Sequence, residues 1–157
     1  VTSVVGAMFA PNHAQVAREM LRVCRSGGKI GLANWTPDGF VGGMLRIVGR
    51  YVPPPPGLQP ATRWGDEAYL RDLFGDGVTS LHITRRAHAF RYHSPEHFTR
   101  YFLTHYGPTE RAFAAIDETA QRDMTRDLTD LARQFNVADD GTLVAPADYL
   151  EVIAIRR

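Results

Sequence analysis

Histidine can act both as a metal ligand and in proton transfer, and six histidines occur in 157 residues. His93 and His97 are four residues apart, the spacing at which two imidazoles on one helical face hold a zinc ion. His93, however, precedes the helix start at Ser94, so the two rings need not share a face. His82 and His88 share one face of a predicted strand but lie roughly 20 Å apart, too far for one ion. The spacings therefore predict no metal site.

His13 is the one residue that we single out as a candidate for catalysis. It follows Asn12, a predicted helix cap, and so falls in the first helical turn. A neutral imidazole at this position could accept a proton from a reacting group of a substrate. The alternative interpretation is a solvent-exposed first-turn histidine without a catalytic role, and its position alone favours that alternative.

Aromatic side chains form a second group of candidates. Tyr101, His105 and Tyr106 cluster after an aromatic helix start and could line a substrate pocket. Aromatic residues at helical spacing are also typical of a packed core, which is the simpler interpretation. The sequence contains no G-x-S-x-G nucleophile elbow, no catalytic cysteine setting and no Gly-rich phosphate-binding loop.

The first 35 residues predict a parallel βαβ unit. Val1 to Phe9 is apolar and β-branched, which is typical of a strand covered on both faces. Asn12 and Gln15 predict a capping box at the start of a helix, Gly27-Gly28 supplies a left-handed turn at its end, and Lys29 to Trp35 predicts a second strand. A connection of this length between two apolar strands implies a right-handed parallel crossover. Four apolar residues share one face of the helix: Ala17, Met20, Leu21 and Cys24.

The remaining residues predict alternating helices and strands. The stretch from Phe40 is helix-like but contains three glycines, each of which costs a helix up to about 1 kcal/mol. The residues from there to Thr62 could cover a pocket or simply cross the surface, and both interpretations stay open. The other predicted elements are a helix capped by Asp66 and ending at Phe74, a half-exposed antiparallel strand over 78–92, a helix from Ser94, a longer helix carrying Phe113 to Phe135, and a last buried strand from Tyr149 to Ile155.

The two ends of the chain carry a family resemblance. Val1 to Trp35, whose helix ends in R-V-C-R-S-G-G, resembles the fourth strand, the following helix and the fifth strand of class I S-adenosylmethionine (SAM) dependent methyltransferases. The closing PADYLEVIAIRR resembles the last strand of that family. The resemblance implies an α/β fold with a partial Rossmann-like sheet, strand order 4-5-7-6, an antiparallel last strand and helical insertions on the substrate side.

The resemblance also implies that residues 1–157 are the C-terminal part of such a domain, because the Gly-rich half that binds the cofactor's adenosine is absent. The loop of Gly6, Ala7, Met8 and Phe9 would lie along the methionine moiety and sulfonium of SAM. Phe9 or Trp35 could face the sulfonium, and a core role is the simpler alternative for each. The implied function is methyl transfer to a small-molecule acceptor, with the isolated chain inactive.

Two further hypotheses stand beside this one. The chain could be a non-catalytic module that dimerises or binds a partner, or another Rossmann-like enzyme such as a nicotinamide-dependent one. An unpaired strand edge favours self-association, so we expect a homodimer or larger species under the first two hypotheses.

The overall composition indicates which partners are excluded. The 18 basic and 17 acidic residues give a net charge of +1 without a long block of like charge, so we expect no nucleic-acid partner. No apolar run reaches the roughly 18 residues that span a bilayer, so we expect no membrane partner. Cys24 is the only cysteine, which rules out an internal disulfide and favours a cytoplasmic protein.

Overall fold

The computed structural model describes residues 1–157, which form a mixed four-stranded sheet and six α-helices. This confirms the predicted α/β fold class. The strands are β1 (Thr2–Val4), β2 (Lys29–Trp35), β3 (Val78–Tyr92) and β4 (Leu143–Arg156). The helices are α1 (His13–Val23), α2 (Phe40–Tyr51), α3 (Glu67–Phe74), α4 (Pro95–His105), α5 (Gly107–Ala114) and α6 (Glu118–Phe135), with short 3-10 turns at Ala7–Phe9, Ala61–Gly65 and Gly75–Gly77.

The sheet has the order β1-β2-β4-β3. β1 runs parallel to β2, which confirms the predicted parallel pairing, and β2 runs antiparallel to β4. Thr79 Oγ1 donates to Ile155 O at 3.3 Å, and Arg85 lies 2.7 Å from Asp148. The start of β3 therefore lies at the end of β4, and the two strands run in opposite directions.

β1 is shorter and more exposed than the sequence predicts. It covers three residues instead of Val1 to Phe9, and the side chain of Val4 is 71% exposed, so the prediction of a strand covered on both faces is wrong. The chain leaves the strand at Val5, whose φ of 49° is left-handed, and forms a 3-10 turn whose Met8 side chain enters the core. Apolar composition alone does not distinguish a long strand from a short one followed by a buried turn.

α1 and β2 follow the sequence pattern closely. Asn12 Oδ1 accepts a hydrogen bond from Gln15 N at 3.0 Å and so caps α1. The predicted apolar face of α1 packs into the core, and β2 has the predicted bounds. Gly27 alone supplies the left-handed turn, with φ of 69°, whereas Gly28 is a close-packing position beside Cys24.

The chain comprises two compact units. Each unit combines segments that are distant in sequence, which is why no change in composition along the chain marks them. Unit 1 comprises Val1–Pro37, Pro56–Ala87 and Asp148–Arg157; unit 2 comprises Asp38–Pro55 and His88–Ala147.

Unit 2 is built on the packing of α2 and α4 against α6. A Cβ atom placed on Gly43 would lie 2.9 Å from Leu131 Cδ1, so this glycine allows α2 to approach α6 closely. Gly43, one of the three glycines that weaken the helix prediction, therefore has a packing function. Phe98 lies at the centre of an aromatic cluster, with ring centroids 5.1 Å from Phe40 and 4.3 Å from Phe102.

Two predictions in this part of the chain are wrong in their bounds. The long helix carrying Phe113 to Phe135 is two helices, α5 and α6, because Asp117 accepts a hydrogen bond from Ala120 N at 2.8 Å and starts a new helix. The last strand begins at Leu143 instead of Tyr149 and includes Pro146. Residues before Tyr149 extend beyond the end of β2, so the missing N–H of Pro146 removes no hydrogen bond to that strand.

None of the six helices is both long enough and apolar enough to cross a membrane.

Candidate functional site

The four residues predicted to contact a cofactor lie at the carboxyl end of β1, in unit 1. Gly6 and Phe9 are exposed, Ala7 is half-buried, and the side chain of Met8 is fully buried. Ser3 Oγ accepts a hydrogen bond from Ala7 N at 2.9 Å, which fixes the turn to the strand. The backbone and the Phe9 ring are therefore the groups of this loop that a ligand can reach, whereas the Met8 side chain belongs to the core.

The backbone at Val5 is strained immediately before this loop. A left-handed φ in a β-branched residue costs of order 1–3 kcal/mol, and such strain clusters at ligand-binding and catalytic sites. The Val5 N–H donates to Ala33 O at 2.8 Å, so the parallel ladder holds the strained residue in place. The strained residue therefore lies at the junction between β1 and the loop.

His13 is buried, with 3% of its surface exposed, so the alternative interpretation of an exposed first-turn histidine is wrong. Its Nδ1 lies 3.0 Å from the Tyr69 hydroxyl, and its ring contacts the edges of Trp64 and Tyr69 at centroid distances of 5.7 and 5.8 Å. These partners come from the Ala61–Gly65 turn and from α3, which the sequence places some fifty residues later. The site therefore combines α1, α3 and the turn.

The environment of His13 favours the neutral imidazole. Burial lowers the pKa of His13, the positive charge of Arg63 lowers it further, and a hydrogen bond to the Met8 backbone opposes both effects. The Arg63 guanidinium lies 4.1 Å from the centre of the Tyr69 ring, a cation–π contact at the same site. A neutral imidazole that contacts a hydroxyl through Nδ1 is able to accept a proton from it.

We expect His13 to make stability depend on pH. Since its folded pKa lies below the ordinary value of about 6.5, its stabilising contribution is complete above that value and is lost as the pH falls through the folded pKa. Urea denaturation between about pH 5 and pH 7.5 should show this loss in the unmodified chain and less of it in His13→Gln. His105→Gln, at an exposed position, is the matched control and should retain the loss. A folded His13 pKa at or above 6.5 in an NMR titration would contradict the expectation.

Two further buried polar side chains of unit 1 escaped the sequence analysis. Asn34, near the end of β2, is fully buried, and neither Nδ2 nor Oδ1 has a hydrogen-bond partner. Trp64, in the Ala61–Gly65 turn, is fully buried with an unpartnered Nε1. Each such group costs about 1–3 kcal/mol. Asn34 lies two and four residues after the buried Leu32 and Ile30, so it shares their face of β2; this spacing is the sequence signal that could have identified it.

The remaining candidates are not gathered at one place. Trp35 is half-buried and packs edge-on against Tyr149 at 6.0 Å, as a core aromatic does. His82 and His88 both lie on β3 with exposed side chains. No group of three or more histidine, cysteine, aspartate or glutamate residues is arranged to hold a metal ion.

Unit 2 contains an open groove of about 600 Å³ beside α4. The rings of His93 and His97 stack there at 5.1 Å, and Tyr101 lies 5.6 Å from Tyr92. His105 contacts Tyr101 at 4.7 Å but does not line the groove. Burial raises the pKa of Tyr106, which is half-buried. Of the three predicted pocket residues, only Tyr101 lines the groove.

Two uncharacterised proteins of Mycobacterium tuberculosis strain H37Rv are similar to this chain in sequence. Rv1405c is 40% identical over 161 residues, an alignment that covers 100% of this chain and 57% of Rv1405c. Rv1403c is 38% identical over 139 residues, covering 86% of this chain and 51% of Rv1403c. The chain thus spans little more than half the length of these relatives. No protein-family model matches it.

A solved structure shows what kind of fold this is. The crystal structure of a "putative methyltransferase" from Bacillus halodurans superposes with a TM-score of 0.52, covering 98% of this chain and 62% of that protein at 18% identity. The chain has a methyltransferase-like fold. In an open α/β sheet, ligands bind outside the carboxyl ends of the strands. In this methyltransferase-like fold, the exposed loop after β1 lies at such an end, and Asn34 lies near the end of β2.

Proposed function

We propose that this chain is part of a class I SAM-dependent methyltransferase that transfers a methyl group to a small-molecule acceptor, and that residues 1–157 form the C-terminal part of that domain. The observation that carries the proposal is the sheet: β1 is parallel to β2, and the last strand lies antiparallel beside β2. We assign this order to strands four, five, seven and six of that family as part of the proposal. The likeness in fold to a methyltransferase structure supports the same proposal.

The loop after β1 fits the methionine end of SAM. Gly6 presents backbone without a side chain, and the exposed Phe9 ring is available to a positive charge, an interaction worth about 0.5–2 kcal/mol. Bound SAM would supply a methyl group activated by its sulfonium, while the protein supplies alignment. His13 is the proposed proton acceptor, and since its Nδ1 contacts Tyr69, a proton from the acceptor molecule reaches the imidazole through the Tyr69 hydroxyl.

Calorimetric titration with SAM tests this function. In this proposal the residues that bind the adenosine of SAM belong to another part of a longer protein. We therefore expect the 157-residue chain to bind SAM weakly or not at all. Full-length Rv1405c should bind with micromolar affinity, and substitution by valine at the position aligned with Gly6 should weaken binding at least tenfold. Substitution of an exposed residue on the outer face of α1, at the position aligned with Arg18, is the control. Absence of SAM binding by full-length Rv1405c would contradict the proposed methyltransferase function. Micromolar binding by the 157-residue chain would contradict the proposal that this chain supplies only part of the SAM site.

A second candidate function is a dimerisation or partner-binding module. Val1 and Val4 are 43% and 71% exposed at the sheet edge. Val1 O accepts a hydrogen bond from Gly31 N, and Val5 N donates one to Ala33 O, so both groups bond to β2. In a parallel strand alternate residues point their N–H and C=O groups to opposite sides, so those of Thr2 and Val4 point away from β2. An open edge of this kind pairs readily with another strand. The partner proposed is a second copy of the chain; neither nucleic acid nor a membrane enters the proposal, and the compartment proposed is the cytoplasm.

We expect light scattering to report a dimer or larger species for the 157-residue chain. Val4→Lys should shift the distribution towards monomer, because a charged side chain on an edge strand opposes pairing. Val23→Lys, at an exposed apolar position on α1, is the matched control. A uniform 17.5 kDa species in the unmodified chain would contradict the edge-pairing proposal.

A further inference from the structure

The end of β2 carries hydrogen-bonding groups that the fold leaves unpaired. Asn34 Nδ2, Asn34 Oδ1 and Trp64 Nε1 are all buried without partners. Asn34 occupies a position equivalent to those of Ile30 and Leu32 on the same strand face, where an apolar side chain would leave nothing unpaired. The chain therefore has an amide where packing alone favours an apolar side chain. An apolar residue at position 34 would be more stabilising, and substitutions of that kind often impair function.

The Ala61–Gly65 turn closes the end of β2. A Cβ atom placed on Gly65 would lie 2.1 Å from Trp35 O and 2.6 Å from Thr36 Cα, so the backbone of the turn is in direct contact with the end of the strand. The turn carries Trp64 into the core, where its ring contacts His13 and Phe74 at 5.7 and 6.2 Å. One unpaired residue thus belongs to the strand and the other belongs to the segment that covers it.

The covering turn is attached mainly by packing. Its backbone hydrogen bonds are local, from Arg63 N to Pro60 O and from Asp66 N to Arg63 O. The residues before it, 53–60, are exposed and form neither helix nor strand. Displacement of the turn would open the end of β2, where Asn34 lies, and would expose the Trp64 N–H to solvent or to a ligand. New hydrogen bonds there would offset part of the free energy that the lost packing requires.

We propose that the carboxyl end of β2 is a ligand-contact site closed by the Ala61–Gly65 turn, at which Asn34 and Trp64 bind an uncharged group that both donates and accepts hydrogen bonds, such as a hydroxyl or a carboxamide. Asn34 offers donor and acceptor side by side, and Trp64 adds a donor. The inference deepens the proposed function and rests on it only in taking the ligand to be the methyl acceptor.

The charge of the surroundings favours a neutral ligand group. No carboxylate or ammonium belongs to the buried part of this site. Burial lowers the pKa of the neighbouring His13 and so favours its neutral imidazole. An ion transferred to this position would lose its hydration without a buried counter-charge. Arg63, the cation within the Ala61–Gly65 turn, is exposed, donates to Gln59 at 2.7 Å and lies over the Tyr69 ring.

NMR of the tryptophan indole groups tests the inference directly. The chain has two tryptophans, so the indole region of a ¹H–¹⁵N spectrum has two signals, and Trp35→Phe assigns that of Trp64. We expect phenol or benzamide at millimolar concentration to shift the Trp64 signal saturably, with benzoate at least tenfold weaker. Asn34→Leu should weaken the binding of phenol and benzamide at least tenfold while leaving the thermal midpoint unchanged or raised.

A matched control tests whether the loss of any buried unpaired polar group would change probe binding. Thr109 in unit 2 is also fully buried with an unpartnered hydroxyl, and Thr109→Val should leave probe binding unchanged. Unshifted Trp64 signals, equal binding by Asn34→Leu, preferential binding of benzoate, or a strong loss of stability in Asn34→Leu would each overturn the inference; the last would mean that the amide has a structural partner, such as a buried water. SAM is absent from the experiment, so failure of SAM binding by Rv1405c leaves its outcome unaffected.

Discussion

Gly65→Ala is expected to destabilise the protein by about 3 kcal/mol or more. The added methyl group would overlap Trp35 O at 2.1 Å and Thr36 Cα at 2.6 Å. Both obstacles are backbone atoms at the end of β2, so a change of side-chain rotamer gives no relief. The Ala61–Gly65 turn must therefore move away from the strand, which withdraws the fully buried Trp64 from the core. Urea denaturation followed by circular dichroism measures the loss.

Gly49→Ala is the matched control for this substitution. Gly49 lies within α2, and an added Cβ atom meets nothing within 4 Å. Alanine is favoured over glycine in a helix, so we expect Gly49→Ala to raise the free energy of unfolding by about 0.5–1 kcal/mol. If the two variants had the same stability, the close approach of the turn to β2 would be contradicted.

Phe98→Ala is expected to cost about 3–5 kcal/mol through the cavity that it leaves in unit 2. The Phe98 ring is 1% exposed, and its centroid lies 4.3 Å from Phe102, 5.1 Å from Phe40 and 5.3 Å from Tyr92. These rings come from three separate elements, α4, α2 and β3, so they cannot all move together to fill the space. Phe98→Leu should lose less, because it retains most of the buried volume.

Tyr101→Ala removes an aromatic ring from the same helix at an exposed position. Tyr101 is 46% exposed and contacts the edge of the cluster at Tyr92. We expect a loss of about 1 kcal/mol or less, measured as the shift in urea midpoint. A loss in Phe98→Ala no larger than that in Tyr101→Ala would mean that Phe98 is not the centre of the unit 2 core.

Local signals in the sequence were enough to predict most element starts and the parallel βαβ unit. Asn12, Asp66 and Ser94 each cap a helix through a side-chain bond to the backbone three residues later. These interactions join neighbouring residues, so the order of residue types contains them. Asp117 caps the start of α6 in the same way and so separates α6 from α5. Apolar residues continue at helical spacing on both sides of Asp117, which is why the sequence predicted one helix there.

The sequence alone determined the α/β class, the bounds of β2 and β3, and the positions where chemistry was sought, because these depend on periodicity and caps within a few residues. Tertiary structure decided the burial of His13, Asn34 and Trp64. That burial depends on segments distant in sequence; Tyr69, for example, contacts His13 from 56 positions later. It also decided that Val4 faces solvent. Periodicity shows which face of one segment is apolar, but it does not show which other segments cover that face.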